Sequence, residues 1–138
     1  VVVKSLPFLG ICVGMQLTAD LGEENQKVSG LGWIPGKVVK INPQNPSLKI
    51  PHMGWNSVKL TSSKHPIKNV LQKKTEMYFV HSYHFEVKNS DHLLGTTEYE
   101  KTLAAIVGKD NIIGTQFHPE KSQLAGLNFI EWFLRWRP

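Results

Sequence analysis

Cys12 is the only cysteine in the 138 residues, and the stretch FLGICVGMQ sets it with Gly10 and Gly14 two positions to either side. A thiol attacks as its thiolate; it needs a base to take the proton and a group to orient that base. GTQFHPEKS offers both, since His118 closes an apolar run and Glu120 follows after Pro119. Pro119 biases His118 toward extended backbone, in which residues i and i+2 project to the same side. Glu120 can then hold one imidazole nitrogen and leave the other facing Cys12. Taken singly, Cys12 also reads as a small buried apolar residue, and His118 with Glu120 as a surface pair at a strand end. Together they describe a cysteine–histidine–glutamate set for nucleophilic attack.

The elements that must position these groups follow from the pattern. Residues 6–11 are a short apolar run, a buried strand, and GMQLTADLGEE continues it as a helix. A strand running straight into a helix turns sharply, and glycines two before and two after the cysteine remove side chains that would clash. This is the nucleophile-elbow arrangement with cysteine in the serine position. The amides and dipole at the head of that helix are expected to favour the thiolate. NQKVSGLGWIPG is a glycine-rich connection. Candidate strands follow at 37–41, 55–60, 77–80, 84–87, 93–97, 103–107 and 112–117, several set apart by turns such as NPQNPS. SQLAGLNFIEWFLRWR reads as a helix opening on a cap at Ser122, with Leu124, Leu127, Ile130 and Leu134 as the face laid on a sheet. Helices at both ends with strands between predict an α/β domain over 1–138.

Composition narrows the function classes. Apolar residues make up 41% and charged residues 20%, an ordinary globular balance. No run approaches the roughly 18 apolar residues that cross a bilayer, so no membrane role is expected. One cysteine forms no internal disulfide, which fits a reducing, cytoplasmic setting. The net charge of +5 is scattered over single or paired lysines, without the basic clusters and interleaved aromatics of a nucleic-acid surface.

GICVGMQ with QFHPEKS resembles the class I (triad) glutamine amidotransferases, which hydrolyse glutamine and deliver ammonia to a synthase. GLGWIPGKV, KIPHMGWNSV, YFVHSYHF and GTQFHPEKSQLAGLNFI are similar to one branch of that family, the glutaminases that serve imidazole glycerol phosphate synthase in histidine biosynthesis. The resemblance runs over essentially the whole chain. It implies a flavodoxin-like three-layer sandwich with a mostly parallel central sheet. It makes Cys12 the nucleophile, His118 the base and Glu120 its partner. Gln16 matches a glutamine-binding position, and His81, Ser82 and Tyr83 match the segment that cradles the amino acid's α-groups. Glu24 aligns with an acidic residue of the same pocket, although LTADLGEE departs from the family's usual LLFE. His52, Met53, Trp55, Asn56 and Tyr78 fall where the family meets its synthase, implying a heterodimer with a (β/α)₈-barrel cyclase. No cofactor is implied.

An amide cleaved through a thiolate passes through an oxyanion that backbone N–H groups must stabilise. Val13 can supply one. The family draws the other from a PGVG-type segment ahead of the elbow, and residues 1–7 read VVVKSLP. The expectation is therefore a chain lacking the family's N-terminal strands and oxyanion segment, unstable and inactive by itself. His81 and His84 are expected on opposite sides of one strand, with no metal site. Trp132 and Trp136 read as packing residues. The alternatives are a glutaminase of another synthase and a non-catalytic glutamine-binding or scaffolding module. An elbow thiolate would be set apart from a buried thiol by fast alkylation at neutral pH.

Overall fold

The apolar run at the head of the chain becomes β1 (Phe8–Ile11), which passes through Cys12 into α1 (Val13–Gln16). The structure is a computed structural model and describes residues 1–61, 64–72 and 74–138. Strands β2 (Leu21–Gly22), β3 (Val28–Ser29), β4 (Gly36–Lys40), β5 (His52–Leu60), β6 (Lys74–His81) and β7 (Tyr83–Val87) follow. Then come β8 (Leu93–Tyr99), β9 (Lys101–Lys109), β10 (Ile112–Thr115), a 3₁₀ turn (Pro119–Lys121) and α2 (Gln123–Arg135).

The predicted helix over 14–24 is cut to a single turn. Thr18 Oγ1 donates to the Met15 carbonyl (2.6 Å), and the Asp20 carboxylate accepts from Gly36 N–H (3.0 Å). Such side-chain bonds to backbone compete with helix continuation, and Leu21–Gly22 instead pairs with β4. Of the two elbow glycines, only Gly10 is a steric necessity: a Cβ there would lie 2.5 Å from the Gly14 carbonyl oxygen. A Cβ on Gly14 would meet open space.

The large sheet runs β1-β10-β9-β8-β5-β6 and the small one β3-β2-β4-β7. The large sheet is mixed rather than mostly parallel: β1 pairs with β10 in parallel, and its other neighbours are antiparallel. Connection length explains this. Glu100 alone links β8 to β9, and Asp110-Asn111 link β9 to β10, whereas a parallel crossover needs a dozen or more residues. The three layers stand. α2 covers one face of the large sheet, burying Phe79, Ile106, Ile113 and Phe129. α1 and the small sheet cover the other, around Met15, Ile34, Phe85 and Val107.

α2 is rotated from the expected face. Leu124, Leu127 and Leu134 are exposed, while Gly126 and Phe129 are buried. The rotation is set by Gly126, where a Cβ would sit 1.8 Å from the Pro119 carbonyl oxygen. Aromatic contacts reinforce it, with Phe117, Phe129, Trp132 and Trp136 packed in series. The two tryptophans are packing residues, as read from the sequence. Ser122 holds the N-cap position without capping. Its Oγ accepts from Tyr78 N–H (3.0 Å) and donates to the His118 carbonyl (2.6 Å).

Gly126→Ala should therefore force α2 away from the 3₁₀ turn and lower stability by about 1–3 kcal/mol, the range for overpacking. Urea unfolding of the two proteins side by side reads the difference; equal midpoints would mean that the helix moves freely over Pro119.

Candidate active site

β1 and β10 run side by side with Ile11 opposite Thr115, and Cys12 N–H donates to the Thr115 carbonyl (2.7 Å). Cys12 and His118 thus leave the same ends of two parallel strands, where α/β sheets build their sites. Cys12 adopts φ 51°, ψ −109°. Positive φ is unusual for a residue with a Cβ and marks the strained turn of an elbow.

His118 is held at both backbone ends: its N–H donates to the Tyr78 carbonyl (2.9 Å), and its carbonyl accepts from Ser122. Nδ1 lies 2.7 Å from Glu120 Oε1. A carboxylate only accepts, so Nδ1 carries the proton and Nε2 is free to act as base. The pairing expected from the sequence is present, with Glu120 delivered by the 3₁₀ turn rather than by extended chain.

The thiol is not poised as a thiolate. Burial pushes its pKa up, against smaller lowering effects from the Val13 backbone amide and the Gln116 side chain. α1 is one turn long, so its dipole is too short to reverse that. Sγ is 3.8 Å from the Val80 carbonyl and 3.6 Å from Gln116 Nε2. It makes no hydrogen bond to His118 among the described residues, a separation common before substrate binds. Gln116 was not singled out from the sequence. Its amide, between Thr115 and Phe117 at the end of a strand rich in apolar residues, is the signal that could have found it.

Val13, Gln16 and Glu24 line one cavity of about 260 Å³, together with Leu17, Gly22 and Gly30. Gln16 Nε2 donates to the Tyr83 carbonyl and to Gln116 Oε1, both at 3.1 Å. Ser82 and Tyr83 lie at the junction where the chain leaves β6 for β7, and the Ser82 carbonyl accepts from Ile41 N–H (2.9 Å). The His81 ring is buried, turned onto His52 rather than into the cavity. His81 and His84 lie on different strands, not on opposite sides of one.

Met53 and Trp55 are exposed on β5, with the Trp55 ring 6.0 Å from that of the half-buried Tyr78 across the β5–β6 pair. Asn56 is half-buried, and its Nδ2 donates to the Glu98 carbonyl (2.8 Å). His52 is the exception to the surface group: it is 3% exposed, on the inward face of the pleat, and is not a surface contact residue. Burial lowers the His52 and His81 pKa values to about 4, so both rings are neutral at pH 7. Among the described residues, no helix is long and apolar enough to cross a membrane.

The sequence profile of the glutamine amidotransferase class-I family matches residues 1–135. The chain is 55% identical to the imidazole glycerol phosphate synthase subunit HisH of Zymomonas mobilis over 98% of its own length and 62% of that protein's. It is 53% identical to the HisH subunit of Rhodospirillum rubrum over 99% and 64%. The chain thus spans less than two thirds of the length of these relatives. Among solved structures, a glutamine amidotransferase of Thermotoga maritima superposes with a TM-score of 0.63 at 20% identity, over 97% of this chain and 49% of that one. A likeness at that identity shows the α/β fold.

With its pKa raised, Cys12 should react slowly with iodoacetamide at pH 7, more slowly than a free cysteine. The rate should climb about tenfold per pH unit and level off only above the free-thiol value of about 8.5. Removing the Gln116 donor with Gln116→Leu should slow it further. A plateau below that value in a rate–pH profile would show a resting thiolate instead.

Proposed function

The chain belongs to the glutamine amidotransferase class-I family, and from that premise we propose that it works as the glutaminase subunit of an imidazole glycerol phosphate synthase. The observation that carries the reading is one cluster at the ends of β1 and β10. The Cys12 elbow and the Nδ1-anchored His118 lie there, and Gln16, which lines the cavity, is bonded through Gln116 to Cys12 Sγ. The raised thiol pKa gives His118 its task. Its Nε2 removes the Sγ proton as sulfur attacks the carboxamide carbon of L-glutamine, and Glu120 stabilises the imidazolium. Val13 N–H, next in the chain after the nucleophile, stabilises the oxyanion as the carbonyl π bond opens. Collapse breaks the C–N bond, and His118 returns the proton to the departing ammonia. Water then attacks the glutamyl thioester with the same imidazole as base, releasing glutamate and restoring the thiol.

The ammonia would pass to a cyclase of (β/α)₈-barrel type bound as a heterodimer over Met53, Trp55 and Tyr78. Its lyase chemistry would form imidazole glycerol phosphate and release aminoimidazole carboxamide ribotide. Histidine biosynthesis places the pair in the cytoplasm. Tyr78 suits such a surface because its backbone also holds His118 and Ser122. Contact on the outer side of β6 would reach the base through two hydrogen bonds.

Cys12→Ala should abolish glutamine hydrolysis while ammonia-driven synthesis by the complex continues, because only the glutamine route uses the thiol. A coupled assay with each nitrogen source decides, and retained glutaminase turnover would remove the assignment. In the same assay His118→Ala should cost about 10²- to 10⁴-fold in kcat, the span of general acid–base catalysis. Glu120→Gln should cost less, since its half-exposed carboxylate orients the base without taking the proton. Equal losses would mean that the two roles are misassigned.

A further inference from the structure

The buried His52–His81 pair has one internally consistent hydrogen-bond direction. His81 Nδ1 is 2.7 Å from the Tyr83 carbonyl, which only accepts, so Nδ1 carries the proton and Nε2 of the neutral ring is an acceptor. His52 Nδ1 is 2.8 Å from that Nε2 and must donate to it, which leaves His52 Nε2 as an acceptor. Asn56 Nδ2 lies 3.1 Å from His52 Nε2 and donates to it, spending its second hydrogen on the Glu98 carbonyl. The Asn56 amide cannot turn over, because its Oδ1 accepts from Ser57 N–H (2.8 Å). Direction therefore runs Asn56 to His52 to His81 to the Tyr83 carbonyl. That carbonyl also receives Gln16 Nε2, whose other hydrogen goes to Gln116 Oε1; Gln116 Nε2 in turn donates to Cys12 Sγ.

We infer that His52 is a positioning residue for the glutamine site, fixing through His81 the carbonyl that holds Gln16. The inference rests on the glutaminase reading. The His52 ring is itself clamped, stacked between Phe79 (centroids 4.9 Å) and Tyr99 (4.2 Å), so the donor it offers His81 has a fixed aim. Both hydrogens of Gln16 Nε2 are spent on protein, so its Oε1 is the atom left to accept from a donor of the substrate in the cavity that Gln16 lines. Without the His52 donor, His81 Nε2 would be a buried acceptor without a partner, and its ring would be free to turn off the Tyr83 carbonyl. Gln16 would lose its register, while Cys12, His118 and Glu120 keep theirs.

Two measurements test this. In ¹⁵N-resolved imidazole spectra of the unaltered protein at pH 7, His52 and His81 should both be neutral Nδ1–H tautomers. Either ring in the Nε2–H form overturns the relay, whatever the protein's activity. In complex with the cyclase, His52→Leu keeps the packing but not the donor. It should raise KM for glutamine about tenfold with kcat within about threefold. His52→Asn, whose amide can place a donor near the lost Nδ1–H, should bring KM back to within about threefold. An unchanged KM in His52→Leu, or an equal defect in both variants, overturns the positioning role. Should His52→Leu fail to fold, Asn56→Ala takes its place, with a disturbed His52 tautomer and raised KM expected and neither change counting against the relay. If instead the unaltered complex does not hydrolyse glutamine, or Cys12→Ala hydrolyses it as fast, the glutaminase reading fails and the tautomers alone judge the relay.

Discussion

The parallel pairing of β1 with β10 is the constraint on which the rest depends. In that register Gly10 lies opposite Gly114, and the pair forms a floor without side chains. A Cβ on Gly10 would strike the Gly14 carbonyl, and one on Gly114 would come within 2.4 Å of Met15 Cγ. Because both are glycine, α1 sits directly on the two strands, with Met15 fully buried beneath it. The positive φ of Cys12 is the conformational cost of that seat. It is offset by the packing of Met15 and by the bond from Cys12 N–H to Thr115, which ties the elbow to the strand that leads to His118.

Around this floor the buried polar groups are arranged to stay neutral. Cys12 is half-buried with a raised pKa, and His52 and His81 are neutral for the same reason, desolvation. Each buried polar atom left unpaired would cost about 1–3 kcal/mol. The chain of amide, imidazole and carbonyl bonds from Asn56 to Gln16 leaves none of its own donors unpaired. Charge is kept to the rim, where the half-exposed Glu120 meets His118. At this end of the sheet a neutral thiol and an imidazole held in one orientation by Glu120 come from neighbouring strands.

The sequence was legible where one local rule governs. The elbow glycine at 10, the strand-end His118 with Glu120 and the apolar strands needed no distant contact to be recognised, and the structure has them. It misled where a distant contact won. The periodicity of α2 pointed to Leu124, Leu127 and Leu134, but the close approach of Gly126 to Pro119 turned the helix by its other side. The all-apolar run at 103–107 read as a strand, in a sheet that the family resemblance made mostly parallel. It is buried on both faces because α2 and the small sheet cover it, and its hairpin links make it antiparallel. The family resemblance set His52 with the residues that meet the synthase, yet pairing of β5 with β6 places it opposite His81, on the inward face. Gln116 carries no local signal beyond a polar amide at the end of a largely apolar strand.

The position of β6 explains how His118 and Cys12 can both be met by one strand. β6 is an edge of the large sheet, and an edge strand carries a row of unpaired N–H and C=O groups that ordinarily invites association. Here the C-terminal half of that row is partly occupied: the Tyr78 carbonyl takes His118 N–H, Tyr78 N–H reaches Ser122 Oγ, and the Val80 carbonyl faces Cys12 Sγ. The sheet can bring this edge round because β5 and β8 pair over only Lys59–Thr96 and Leu60–Gly95. The long β5–β6 ribbon can then diverge from β8 and curl toward the ends of β1 and β10. On the same strand Phe79 and His81 point inward, packing against and bonding to His52. The pleat thus divides the work by residue parity. Tyr78 and Val80 offer their backbone to His118, Ser122 and Cys12, while Phe79 and His81 hold the polar relay beneath it.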